Sequence, residues 1–133
     1  MSNLKPTLSL RSVLFIDAAT CAVMGAALMA GAGAIASITA IPTALLFYAG
    51  LSLIPIAAFM TLVGLPANPP VLGVWLVILG NVGWVIASLA LIFGDWIAPN
   101  MLGVAFVGVQ AIAVAILAAL EYGGLNADRQ MAA

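Results

Sequence analysis

The sequence predicts an all-α integral membrane protein folded as a four-helix bundle of two helical hairpins. The chain has only three basic and four acidic residues among 133, and 66% of its residues are hydrophobic. No charged residue lies between Asp17 and Asp95. A soluble domain carries about a quarter charged residues, whereas hydrocarbon cannot solvate charge. Because a membrane span needs about 20 apolar residues, residues 1–133 have room for about four spans in a single domain.

The first hairpin consists of the predicted spans 12–36 and 43–64. Ser, Thr and Pro residues in segment 37–42 predict the turn between them. The apolar length of the first span favours a retained helix over a cleaved signal peptide. Pro55 lies inside the second span, where its ring removes one backbone donor and clashes with the preceding turn, so we expect a kink there.

The second hairpin consists of the predicted spans 71–93 and 100–122. Segment 65–70, with the sequence LPANPP, separates it from the first hairpin because adjacent prolines cannot continue a helix. Gly123 and Gly124 are predicted to end the fourth helix and to leave a short polar tail.

The basic residues predict the orientation of the chain in the plasma (inner) membrane. Lys5, Arg11 and Arg129 all lie on the side of the two termini, and the loops on the opposite side contain no basic residue. Cytoplasmic loops of membrane proteins carry an excess of Lys and Arg. Both termini are therefore predicted to be cytoplasmic.

The composition argues against several functional classes. The chain has no histidine and a single cysteine, Cys21, so the usual ligands of haem, zinc and copper are lacking, and we expect no cofactor and no metal. Three basic residues give no electrostatic footprint for nucleic acid. No nucleophile, base and orienting partner can be assembled, so we expect no catalytic residue and no enzyme. The expected partners are the lipid bilayer and either a second copy of the chain or a larger membrane-protein complex.

Polar groups within the apolar spans are the candidates for ligand binding or ion coupling, because each is costly to bury without a partner. The candidates are Asp17, Asn81, Trp84, Gln110 and Glu121. Asn81 and Gln110 fall near the middle of two antiparallel spans, so we expect them to face inward, towards each other. Such a pair either fixes helix register through an interhelical hydrogen bond or lines a ligand site, together with Trp84.

Asp17 and Glu121 are predicted to belong to the same side of the membrane. Two interpretations are open for these carboxylates. In the first, they lie in the interfacial region and are solvated. In the second, they lie close enough to repel each other, and this repulsion is relieved by binding a proton or a cation. Sequence spacing does not separate the two.

Small residues at every fourth position predict close helix packing. One stripe lies on the first span and a second on the fourth: Ala18, Ala22, Ala26, Ala30, Ala34; and Ala111, Ala115, Ala119. Lipid provides no hydrophobic drive between helices, so close approach of backbones through small residues is how such helices associate. We expect the stripes to pack within the bundle or across a dimer, with the first span central.

A short chain with four apolar helices and an acidic residue, Asp17, in the first of them resembles the small multidrug resistance transporters. The resemblance covers the architecture and this one residue. Those proteins use a glutamate deep in the first span within an antiparallel dimer, whereas this chain has an aspartate nearer the membrane edge, and its basic residues favour one orientation. The resemblance does not assign the chain to that family.

Two functions follow as hypotheses. The first is a small tetraspan protein of non-enzymatic type, an accessory or scaffold component that packs against other membrane helices. The alternative is a small transporter or a protein that binds lipids or other lipophilic ligands, with a pocket near Asn81, Gln110 and Asp17. Convergence of those side chains on a cavity would favour the alternative.

Overall fold

The chain forms four long helices joined by short connections. A computed structural model describes residues 9–132, and their side chains up to residue 127. The helices are α1 Leu10–Thr39, α2 Thr43–Gly64, α3 Val71–Phe93 and α4 Met101–Ala132. All four are long and apolar enough to cross a bilayer. The prediction of an all-α membrane bundle is confirmed.

The helices pack as two hairpins held together by α1. Helix α1 packs along α2, α3 packs along α4, and α1 also contacts α4, so α1 is central as predicted. Helices α2 and α3 meet only near their connection, where a Cβ placed on Gly73 would lie 3.0 Å from Val63 Cγ2. Beyond that contact the bundle is open along the side formed by α2 and α3.

Two glycines bring the backbones of α1 and α2 together. A Cβ placed on Gly25 would lie 2.8 Å from the Gly50 carbonyl oxygen, and one on Gly50 would lie 2.7 Å from the Gly25 oxygen. No real Cβ could occupy either position without moving a backbone. This crossing is the close approach through small residues that packing in lipid requires.

Polar groups satisfy the helix ends. Ser9 Oγ accepts a hydrogen bond from Ser12 N at 3.1 Å and caps α1. The guanidinium of Arg11 donates to the carbonyl oxygens of Gly64 and Leu65, at 2.8 and 2.9 Å, and thereby caps the end of α2. Since the last carbonyls of a helix lack intrahelical partners, these bonds fix α1 against α2.

The first and fourth helices differ from their predicted spans. Helix α4 passes through Gly123 and Gly124, so the prediction that these residues end it is wrong. The extra turns pack against the start of α1: a Cβ on Gly124 would lie 3.2 Å from Leu10 Cβ, and Leu125 is only 2% exposed. This burial outweighs the weak helix propensity of two glycines.

Pro55 lies inside an uninterrupted α2, and the kink stays a prediction.

The small-residue stripes pack within the chain only at one end. Ala18 and Ala111 are buried, whereas the other members of both stripes are exposed: Ala22, Ala26, Ala30, Ala34, Ala115 and Ala119. Every fourth residue of a helix advances by about 40° around its axis, so a stripe from Ala18 to Ala34 turns by about 160° and cannot follow one straight neighbour. Packing of the exposed members across a dimer stays a prediction.

The predicted orientation depends on residues at the chain ends. Lys5 lies outside the described residues, and so does the side chain of Arg129. Arg11 is at the end of the bundle where α1 begins and α2 ends. The cytoplasmic placement of both termini therefore stays a prediction.

Candidate functional site

Three polar side chains from three helices meet in the interior of the bundle. Asn81 Nδ2, on α3, donates to Asp17 Oδ2 on α1 at 2.8 Å and to Glu121 Oε1 on α4 at 2.9 Å. Asp17, Asn81 and Glu121 are 1%, 6% and 0% exposed. We refer to these three residues as the triad. One amide nitrogen thus joins two carboxyl groups and ties both hairpins together.

An apolar layer separates the triad from the end of the bundle that carries the termini. Its fully buried members include Leu10 and Leu14 of α1, Val74 of α3 and Leu125 of α4. Asp17 lies about 10 Å along α1 from the first residue of the helix. The interpretation of Asp17 and Glu121 as solvated interfacial carboxylates is therefore wrong, because α1 and α4 both extend beyond their predicted ends and enclose them.

A second polar cluster lies one to two helical turns further along α3. Trp84 Nε1 donates to Gln110 Oε1 at 2.8 Å, and Gln110 Nε2 donates to Ser88 Oγ at 2.9 Å. Gln110 Nε2 also donates to the carbonyl oxygen of Val107, and Ser88 Oγ donates to that of Trp84, both at 2.8 Å. These bonds fix the register of α3 against α4.

Asn81 and Gln110 face inward as expected but do not pair with each other, which corrects the expectation made from the sequence. Gln110 lies opposite Ser88, about 10 Å along α3 from Asn81. Counting residues from the helix ends gave the wrong register because α4 continues past residue 122. Glu121, rather than Gln110, is therefore the residue of α4 level with Asn81.

Both polar clusters contribute to one cavity of about 970 Å³ between the two hairpins. All four helices line it, mostly with aliphatic and aromatic side chains. Its polar lining comes from the following residues: Asp17, Thr20, Asn81, Trp84, Ser88 and Gln110. Exposed Phe59 of α2 and Leu76 of α3 lie along its rim, on the side where those helices are apart. In a bilayer this side of the cavity faces the hydrocarbon.

Two sulfur-containing side chains, Cys21 of α1 and Met60 of α2, lie next to the triad. Cys21 Sγ lies 3.7 Å from Asp17 Oδ1 and 3.9 Å from Met60 Sδ. Cys21 falls one turn after Asp17, and that spacing was the available signal. The cysteine also lines the cavity, so it places a thiol beside the triad.

The triad offers more hydrogen-bond acceptors than donors. The carboxyl groups of Asp17 and Glu121 accept hydrogen bonds from the amide NH₂ group of Asn81, and Asp17 also accepts one from the weakly donating thiol of Cys21. Glu121 Oε2 is buried without a partner among the described residues. Over the same part of the chain, no three His, Cys, Asp or Glu side chains are grouped closely enough to hold a metal ion. The arrangement can accept hydrogen bonds from a group that brings its own donors.

The chain matches no protein-family model, no curated protein and no solved structure.

Proposed function

We propose that this protein is a non-enzymatic membrane protein that binds a lipophilic ligand in the cavity between its hairpins, as a small carrier or transporter. The observation that supports this most strongly is the convergence of polar side chains from α1, α3 and α4 on a cavity at membrane depth. Polar residues inside a membrane bundle are expensive to bury and commonly mark a ligand or ion pathway.

The dimensions and lining of the cavity fit such a ligand. Small-molecule sites typically occupy about 300–1,000 Å³ and combine an apolar wall with a few polar groups that orient the ligand. The present cavity, at about 970 Å³, falls at the upper end of that range. A ligand would place its apolar body against α2 and α4 and its polar group near Asp17.

An accessory or scaffold role is the second candidate, and a different observation favours it. Ala22 and Ala26 of α1 are exposed, and they form a short surface at which another helix could cross closely. Purification in mild detergent should then recover a stoichiometric partner or a dimer. A chain that always migrates as a monomer would count against this role.

Ligand binding can be tested with a lipophilic fluorescent dye, Nile red, and protein in nanodiscs. We expect saturable binding at one site per chain, above the signal from nanodiscs without protein. Ala87→Phe places a ring in the cavity from an exposed position on α3, so it should weaken binding at least tenfold without overpacking the core. Ala58→Phe, on an exposed face of α2 away from the cavity, is the matched control.

The single cysteine provides an independent measurement. Cys21 lines the cavity, so a bound ligand should slow its modification by N-ethylmaleimide. Dye binding that does not saturate, or that both phenylalanine variants leave unchanged, would reject the cavity as a ligand site.

A further inference from the structure

We propose that the triad holds a single positive charge: a proton between Asp17 and Glu121 in the absence of ligand, and the ammonium group of a lipophilic amine when a ligand is bound. This inference rests on the proposed function and names the class of ligand. It is carried by the donor and acceptor count of the triad and by the position of Asp17 at the cavity wall.

One carboxyl oxygen of the triad has no donor within the described part of the chain. Glu121 is fully buried. Its Oε1 atom accepts a hydrogen bond from Asn81 Nδ2, and its Oε2 atom has no donor among the described residues. Asn81 Nδ2 lies 2.8 Å from Asp17 Oδ2 and 2.9 Å from Glu121 Oε1, so the two carboxyl groups share a single donor. Two carboxyl groups form a hydrogen bond only when one of them carries a proton. A proton held by one of the two carboxyl groups would supply the donor that the triad lacks.

The described side chains next to the two carboxyl groups carry no positive charge. The titratable group beside it on α1 is Cys21, and α3 contributes the neutral amide of Asn81. From α2 the neighbouring side chain is Met60, which does not titrate, and from α4 it is Glu121 itself. Arg11, the cation among the described side chains, is engaged with the carbonyl oxygens at the end of α2. No described cation neutralises the pair.

The two carboxyl groups differ in their position relative to the cavity. Asp17 is among the residues that line the cavity, so a ligand that fills the cavity would contact it, whereas Glu121 is not among them. An ammonium group supplies up to three N–H donors and one positive charge, which matches the surplus of acceptors. An apolar body on the same molecule would fill the cavity.

The exchange conserves charge. The protonated pair has one negative charge; binding an ammonium ion and releasing the proton leaves two carboxylates and one cation, again a single negative charge. One proton is released to solvent for each amine bound, and no covalent bond between heavy atoms changes. A neutral lipophile of the same shape would release none.

The matched probes are 1-aminoadamantane and 1-adamantanol, which share one apolar cage and differ in the polar group. Displacement of Nile red from wild-type protein should show the amine binding at least tenfold more tightly than the alcohol. Asp17→Asn should remove that preference and retain binding of the alcohol, whereas Asp95→Asn, at an exposed loop position, should leave the preference intact.

Proton release is measured on wild-type protein, so it does not depend on any variant folding. Titration calorimetry in two buffers of different ionisation enthalpy should give about one proton released per amine. Infrared difference spectra should show loss of a protonated-carboxyl C=O band on amine binding, and Glu121→Gln should lack that change.

The outcomes separate the two proposals. Equal affinity for amine and alcohol with no proton release would overturn this inference and leave ligand binding intact. Binding of neither compound, together with absence of dye binding, would reject the proposed function as well.

Discussion

Replacement of Asn81 by alanine tests the central role of its amide. The substitution removes two interhelical hydrogen bonds, of 2.8 and 2.9 Å, and leaves two buried carboxyl groups without their shared donor. Hydrogen bonds between membrane helices contribute about 0.6–1.7 kcal/mol each. Leaving a buried polar group unpaired costs about 1–3 kcal/mol. We expect Asn81→Ala to lower the free energy of unfolding by about 2–4 kcal/mol.

The assay is reversible unfolding in mixed micelles with increasing sodium dodecyl sulfate, followed by circular dichroism. Gln110→Ala is the comparison, because it removes interhelical hydrogen bonds to Trp84 and Ser88 without uncovering a carboxylate. It should cost about 1–2 kcal/mol. The penalty of Asn81→Ala should also shrink at acidic pH, because a protonated carboxyl is less costly to bury than a charged one. An effect of Asn81→Ala below about 0.5 kcal/mol at neutral pH would refute the reasoning.

Three further substitutions test the packing and capping of the helices. Gly50→Ala should destabilise the α1–α2 hairpin by about 1–3 kcal/mol in the same unfolding assay, because the added Cβ would meet the Gly25 carbonyl oxygen. Gly33→Ala is the control: the space around Gly33 is open, so this change should be neutral or slightly stabilising. Ala40 has a φ of 60°, a left-handed conformation that is unfavourable for alanine and open to glycine. Ala40→Gly should therefore raise the midpoint of thermal unfolding, with a gain in stability of about 1 kcal/mol. A lower midpoint would contradict this prediction. Arg11→Leu should lower the free energy of unfolding by about 1–2 kcal/mol, because two hydrogen bonds to the end of α2 are lost. Arg11→Lys should restore only part of this loss, because one ammonium group cannot reproduce the fork of the guanidinium. Full recovery of stability in the lysine variant would argue against that geometry.

The sequence predicted the middle of the fold better than its ends. Predicted spans 43–64 and 71–93 coincide with α2 and α3. Their bounds could be predicted because prolines at positions 42 and 70 precede the helices, and Gly64 and Gly94 lie at their ends. Helices α1 and α4 are longer than their predicted spans. Their extra turns are stabilised by contacts such as that between Leu10 and Gly124, which are tertiary and leave no local pattern in the sequence.

The candidate residues of the site followed from their polarity in an apolar tract, but their partners did not. Asn81 was expected opposite Gln110, and it binds Asp17 and Glu121 instead. Partner choice depends on the register between hairpins and on the rotation of each helix, and both arise from packing over the whole bundle. Glu121, the partner of Asn81 on α4, lies about three helical turns beyond Gln110, the partner expected from the sequence.

The separation of α2 from α3 determines how a molecule would encounter the cavity. Exposed side chains such as Phe59 and Leu76 border the opening between α2 and α3, so a molecule dissolved in the bilayer would enter sideways. A solute would meet this protein at its concentration in the membrane, which for an oily compound far exceeds its concentration in water. Apparent potency should therefore follow each compound's partition coefficient, and only affinities corrected for partitioning would report contacts with the protein itself.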